Sequence, residues 1–244
     1  VVPGSGCGLG QSETLQVNLV NAGTNTLGTV TISYQINGGA IITENPTLNL
    51  APGFSSLYTF ATGANFSTPG YYEVLFFSSQ PGDGELANDT LGGFVVTNHA
   101  IAPPLPYKED FEAGEAGWFS YGDNNSWAFG LPAKNIIQGA ASGQNAWVTG
   151  GLGTIQYGNF EQTFVESPCF DLSQMVVPWV GLDVWWNVET SFDGAALQVS
   201  DNGGQTWTTV GALGDPYNWY NDDAIDGSPG GQLSGWTGWT NDNN

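Results

Sequence analysis

Arginine is absent from this 244-residue sequence and lysine occurs twice, at Lys108 and Lys134, against 23 Asp and Glu, giving a formal net charge of −21. Nucleic acid is thereby excluded as a partner, because phosphate binding needs the cationic side chains that displace its counterions. An anionic membrane surface would repel the chain for the same reason, and no stretch approaches the ~20 apolar residues of a membrane span. Histidine occurs once, as His99, which rules out a His-Glu-x-x-His zinc helix and leaves a Ser-His-Asp triad a single placement, at a domain boundary. No Gly-x-Ser-x-Gly elbow, P-loop or dinucleotide fingerprint is found. A glycosidase-like pair of carboxylates is compatible with any chain this acidic, so it carries little information. There are two cysteines, Cys7 and Cys169; whether they pair is not readable from sequence, and they leave the redox compartment open. Tryptophan is missing from residues 1–100, while ten occur between Trp118 and Trp239. Two cores of different texture imply two domains.

The residues that are abundant point to an all-β protein. Hydrophobic residues make up 40% and aromatics 13% of the chain, too much for a disordered one, and 36 Gly and 13 Pro supply the turns between many short strands. Residues 1–98 read as an Ig-like or fibronectin-like β-sandwich of about seven strands. In Thr29–Ile36, Val30, Ile32, Tyr34 and Ile36 share one face, the period of a half-buried strand. Asn37-Gly38-Gly39 then turns a hairpin toward Ala40–Glu44. Further strands are expected at Leu15–Leu19, Leu57–Thr62, Tyr71–Ser78 and Phe94–Thr97. Residues 99–106, with three prolines, form a semi-rigid linker. Residues 107–244 read as a larger jelly-roll β-sandwich whose clearest strand is Trp179–Glu189, with Val180, Leu182, Val184, Trp186 and Val188 on one face. The sequence runs out on Asn241-Asp242-Asn243-Asn244 without a closing apolar strand, so the polypeptide is expected to continue.

With so few cations, the carboxylates must be solvated, screened or bridged by a divalent metal, and clustered oxygen donors suit Ca²⁺ with its about six to eight ligands. Lys108–Glu112 is expected to be a strand with Asp110 and Glu112 on one face, where a calcium ion would bridge them. Asp123, Asn125 and Asp193 could complete the site, and Asp222, Asp223 and Asp226 form a second acidic loop in which solvation competes with metal binding. Ser200-Asp201-Asn202-Gly203-Gly204-Gln205-Thr206-Trp207 fits the Asp-box pattern, read here as a structural turn. Trp185, Trp219, Trp236 and Trp239, with Tyr220, are candidates for stacking on sugar rings, although such residues serve equally well as core. Asp89-Thr90-Leu91 offers Thr90 as an O-glycosylation acceptor, and Asn65, Asn88 and Asn124 open N-linked sequons.

The second half resembles the MAM-like and cleaved-adhesin jelly rolls of secreted Bacteroidetes proteins. The stretches that carry the resemblance are Glu109-Asp110-Phe111-Glu112 with Trp118, Ser167-Pro168-Cys169-Phe170-Asp171-Leu172-Ser173, Asp193-Gly194-Ala195, Gly203-Gly204-Gln205-Thr206-Trp207 and Asn218-Trp219-Tyr220-Asn221. Residues 7–97 resemble the adhesion-type Ig-like domains that precede such jelly rolls, through Asn21-Ala22-Gly23-Thr24, Pro69-Gly70-Tyr71 and Asn88-Asp89-Thr90. The resemblance implies type IX secretion, an extracellular or outer-membrane location, and calcium near the first strand of the jelly roll, at Asp110 and Glu112. No C-terminal sorting domain is visible, which departs from the pattern. Three functions follow as expectations. The first is a non-catalytic adhesion or structural module that contacts glycans, other surface proteins or copies of itself, without inserting into a membrane. The second is an ancillary region of a secreted peptidase or glycosidase whose catalytic domain lies elsewhere, and the third is a free carbohydrate-binding domain.

Overall fold

Strands dominate the computed structural model, which describes residues 1–215, 219–233 and 236–241; the helical elements in it are two single turns of 3-10 helix, at Leu86–Asn88 and Pro229–Gly231. The all-β class read from the sequence is what these elements show. The chain divides into two units, Val1–Ile101 and Ala102–Asn244.

In the first unit, β1 (Gly6–Cys7), β4 (Thr31–Ile36), β5 (Ile42–Glu44), β8 (Gly70–Ser79) and β9 (Thr90–His99) form one sheet in the order β1-β9-β8-β4-β5. All its pairings are antiparallel except that of β1 with β9. Two separate antiparallel ladders join β2 (Gln16–Val20) to β7 (Ser55–Thr59) and β3 (Leu27–Thr29) to β6 (Thr47–Leu50). The run expected as one strand over Thr29–Ile36 is interrupted at Val30. Its alternation nevertheless holds, since Val30, Ile32 and Tyr34 are buried. Ser33 is also buried, against the pattern, because its hydroxyl bonds Thr43 Oγ1 on β5 at 2.9 Å.

Both sets of strands contribute to one core of Leu15, Val17, Ile32, Tyr34, Phe60, Ala64, Phe66, Val74, Phe76 and Val96. Phe60 is central to it: Tyr34 meets its edge at 5.1 Å and Phe76 stacks on it at 5.9 Å. Such aromatic pairs contribute about 0.5–1.5 kcal/mol beyond the area they bury. A carboxylate ties the sheet to β7, because Glu44 accepts from the Tyr58 hydroxyl and from the backbone N–H groups of Ala61 and Thr62 at 3.0 and 2.8 Å. Burial pushes the Glu44 carboxyl up, but those hydrogen bonds outweigh it and hold the group below its ordinary value.

His99 does not open a linker. Strand β9 runs through it, its ring is buried, and its carbonyl accepts from Gly8 N at 2.9 Å, so the ladder with β1 holds the segment to the sheet. The neighbouring Asn98 is 1% exposed, and its amide closes three gaps at once: Leu9 N donates to Oδ1 at 2.8 Å, and Nδ2 donates to the carbonyls of Phe66 at 2.7 Å and Thr68 at 3.5 Å.

The second unit has shorter ladders. Strand β10 (Phe119–Asp123) pairs with β13 (Gln162–Glu166), β11 (Ala128–Gly130) with β12 (Ala146–Val148), and β14 (Gln198–Val199) with β15 (Thr208–Thr209). The expected strand over Trp179–Glu189 does not form among the described residues: Trp179–Trp185 is exposed throughout and takes no backbone partner there, and pairing begins only at Val188, whose N–H donates to the Asn241 carbonyl at 2.8 Å. The expected strand over Lys108–Glu112 is also replaced. Glu109 Oε1 accepts from Phe111 N at 2.7 Å and Asp110 Oδ1 from Glu112 N at 3.1 Å, and these overlapping side-chain turns curl the segment and set Phe111 at φ 61°.

Replacing Asn98 with Ala leaves the Leu9 N–H and the Phe66 carbonyl buried without that partner. It is expected to destabilise the first unit by about 3 kcal/mol, within the range for unsatisfied buried groups, as read by urea unfolding. A loss below about 0.5 kcal/mol would show that other groups or water replace the amide.

Candidate functional site

Three side-chain clusters of the second unit hold the residues singled out by the sequence, and each is built around a loop.

The first cluster follows from the turns at 109–112. Because Glu112 leaves the turn away from the backbone, its Oε1 reaches the loop over Gly143–Asn145, accepting from Gln144 N at 2.8 Å and Asn145 N at 2.7 Å. Asn145 Nδ2 returns a bond to the Phe111 carbonyl at 3.3 Å. Asp110 and Glu112 are therefore turn acceptors rather than two neighbours on a strand face. The other expected calcium ligands stand apart from them. Asp123 ends β10, opposite Gln162. Asn125 accepts from Trp127 N at 3.2 Å and donates to Ser120 Oγ at 3.1 Å, while Asp193 accepts from the Tyr157 hydroxyl at 2.7 Å. Among the described residues, no three of His, Cys, Asp and Glu come together in a way that could hold a metal ion. Asp222, in the other acidic loop, accepts from Ala224 N at 2.8 Å.

The second cluster orders the glycine-rich loop over Gly150–Gly158. Lys134 Nζ donates to the carbonyls of Gly150, at 2.8 Å, and Ile155. Ser126 Oγ accepts from Gly150 N at 2.7 Å and donates to Glu161 Oε2 at 2.7 Å. Gly150 has φ 71°, and a Cβ there would lie 2.5 Å from the Gln156 carbonyl carbon, so only glycine fits. Burial lowers the pKa of Lys134, opposed by the charge of Glu161. At the end of this loop the Tyr157 hydroxyl donates to Asp193 and accepts from Glu189 N at 3.2 Å. Burial, together with the bond to Asp193, pushes the phenol up to about 12. Sequence reading missed both residues. The rarity of cations was a usable signal for Lys134, whereas nothing local marks Tyr157, whose acceptor lies 36 residues away.

The third cluster is aromatic. Trp219, Tyr220, Trp239 and Trp186 pack in succession, with Tyr220 and Trp239 centroids 4.7 Å apart and Trp186 and Trp239 5.9 Å apart. Tyr220 is 1% exposed and its hydroxyl both accepts from Leu197 N and donates to Leu197 O. It is a core residue with no free face for a sugar. Trp219 donates from Nε1 to the Val210 carbonyl at 2.9 Å. Trp185 and Trp236 stand outside the core, 37% and 39% exposed. The Asp-box segment forms the turn between β14 and β15. Asn202 Oδ1 caps Gln205 N and Thr206 N at 3.1 and 3.0 Å, Gly203 and Gly204 take positive φ, and the Trp207 indole donates to the Gly204 carbonyl. Thr90 is exposed at the start of β9. Asn218, part of the resemblance, lies outside the described residues.

Both cysteines are in disulfide linkage and no free thiol is present. The chain is 28% identical over 141 residues to Bacillopeptidase F of Bacillus subtilis (strain 168), a match that takes in 55% of this chain and 10% of that protein. The chain thus corresponds to about a tenth of that relative's length. No family model matches the chain, and no solved structure matches it.

Two outcomes follow. Tyr58, pushed up to about 12 by its bond to Glu44, and Tyr157, at about 12, both titrate above the ordinary 10.0. A raised folded-state value means that this stabilisation is complete below pH 10 and is lost as pH rises toward 12. Unfolding free energy should therefore fall over that window, and less steeply in Tyr157→Phe; equal slopes in the two proteins would contradict the assignment. Glu112→Ala should speed exchange of the Gln144 and Asn145 amides and cost about 1 kcal/mol, equally with and without EDTA. An effect seen only with calcium present would show that the carboxylate acts through a metal.

Proposed function

We propose that this chain is an accessory, non-catalytic β region of a secreted peptidase whose catalytic domain lies outside these 244 residues. The observation that carries this reading is the similarity to Bacillopeptidase F, which spans more than half of this chain and a small part of that protein. An arrangement of this kind suits a region that accompanies the chemistry rather than performing it. The disulfide state of both cysteines favours an oxidising, extracellular setting.

The charge gives the region a task. At −21, it raises the local concentration of cationic polypeptides and repels anionic ones, an effect that weakens as salt shortens the screening length. Basic, extended protein substrates are the class such a surface would deliver to a neighbouring catalytic site. Type IX secretion rests on the sequence resemblance alone, adhesion to glycans or surface proteins and calcium stabilisation rest on composition and that resemblance, and none of the three clusters adds a reason for them.

The test is to produce the complete polypeptide with and without residues 1–244 and compare hydrolysis of a basic protein, an acidic protein and a short uncharged peptide. Deletion should lower kcat/KM for the basic protein several-fold at low salt and leave the short peptide unchanged. Absence of peptide-bond hydrolysis from the complete polypeptide would overturn the reading.

A further inference from the structure

Residues 176–185 are rich in apolar side chains, with Val180, Leu182 and Val184 in alternation, and yet every one of them is exposed, two properties that do not normally coexist in a folded chain. Val176 is 97% exposed, Trp179 83% and Val180 63%. Leu182 and Val184, which continue the face of Val180, are exposed as well. Among the described residues, the backbone N–H and C=O groups of this segment take no backbone partner. A run rich in Val and Trp with period-two spacing is suited to a half-buried strand. What it lacks, among the described residues, is a neighbour.

The hydrogen bonds at its C-terminal end show where a neighbour would come from. Trp239 and Ala195 form an antiparallel bridge. Thr240 Oγ1 accepts from Ser191 N at 3.1 Å, and Asn241 O accepts from Val188 N at 2.8 Å. As the chain advances from 239 to 241, its partners recede from 195 to 188, so the polypeptide travels antiparallel to this region and toward Trp186. The Trp186 indole already donates to the Thr240 carbonyl at 2.9 Å.

We infer that Val176–Trp186 is one strand of an antiparallel pair whose other strand is a segment of the same polypeptide, encoded beyond Asn244 and running back along it. The apolar face of Val180, Leu182 and Val184 would be covered by the layer to which that strand belongs. The direction of the 239–241 backbone carries the inference, which does not depend on the peptidase reading. A second copy of the chain is a poorer occupant, because each copy brings a net charge of −21 to the pairing.

Amide hydrogen exchange on the polypeptide extended beyond Asn244, compared with the 1–244 chain at equal dilute concentration, tests this. Amides of 176–186 should exchange at least tenfold more slowly in the extended protein, independently of concentration, and lose that protection in the 1–244 chain. A Val180→Lys variant of the extended protein should weaken protection in this segment while the β10–β13 ladder of the same unit keeps its own, separating loss of pairing from loss of folding. Fast exchange in the extended protein would overturn the inference, and so would protection that rises with protein concentration or that requires an added peptide.

Discussion

The scarcity of cations governs how this chain is held together. With 23 carboxylates and two lysines, ion pairing cannot satisfy the acidic side chains, and they turn instead to backbone N–H groups and hydroxyls. Glu44 takes Tyr58, Ala61 and Thr62; Glu112 takes two amides of a distant loop; Glu161 takes Gly158 N and the Ser126 hydroxyl; Glu166 takes the Tyr121 hydroxyl. A carboxylate that accepts from neutral donors forms charge-assisted bonds, which are stronger than neutral ones and less dependent on a second charge being held in place. In this role an acidic residue acts as a loop cap. The loops of the second unit, otherwise poor in regular ladders, acquire their shape in this way, and the one lysine that enters the arrangement, Lys134, is likewise used on carbonyls.

This use of carboxylates also explains where sequence reading succeeded and where it failed. In β4 the alternation of Val30, Ile32 and Tyr34 with polar residues reports burial directly, because one face packs on Phe60 and Phe76. The alternation in Lys108–Glu112 looks the same on paper. There, however, Glu109 and Asp110 each reach the N–H two residues ahead, and a local bond of that kind competes with extended structure. Apolar spacing does not register this competition. Of the expected calcium ligands, Asp110 and Asn125 are engaged in local turns, Glu112 on the amides of the Gly143–Asn145 loop and Asp193 on the Tyr157 hydroxyl, and none of these engagements is visible in apolar spacing. The aromatic loop was half legible. Its composition suited either a sugar platform or a core, and only burial, 1% exposure for Tyr220 against 37% for Trp185, separates the two.

The two units differ in how much of their order is local. The first has a single core drawing on several strands, with Asn98 binding the β9 end to Leu9 and Phe66. The second relies on short ladders and side-chain caps, and its buried aromatics sit beside an exposed apolar run.

An exposed apolar strand is ordinarily a hazard, because its free N–H and C=O groups invite pairing with any other chain. Val176–Trp186 lacks the usual protections, having one charged residue, Asp183, and a single proline, Pro178. Two influences act in opposite directions on such an edge. Net charge opposes association between copies at long range, while a tethered strand pairs at an effective concentration that can reach millimolar for short connections. Both favour closure within one polypeptide over closure between two. On the pairing inferred above, the acidity that leaves the carboxylates without cationic partners would also keep this exposed run from pairing between copies, so one compositional bias would account for both the caps and the protection of the run.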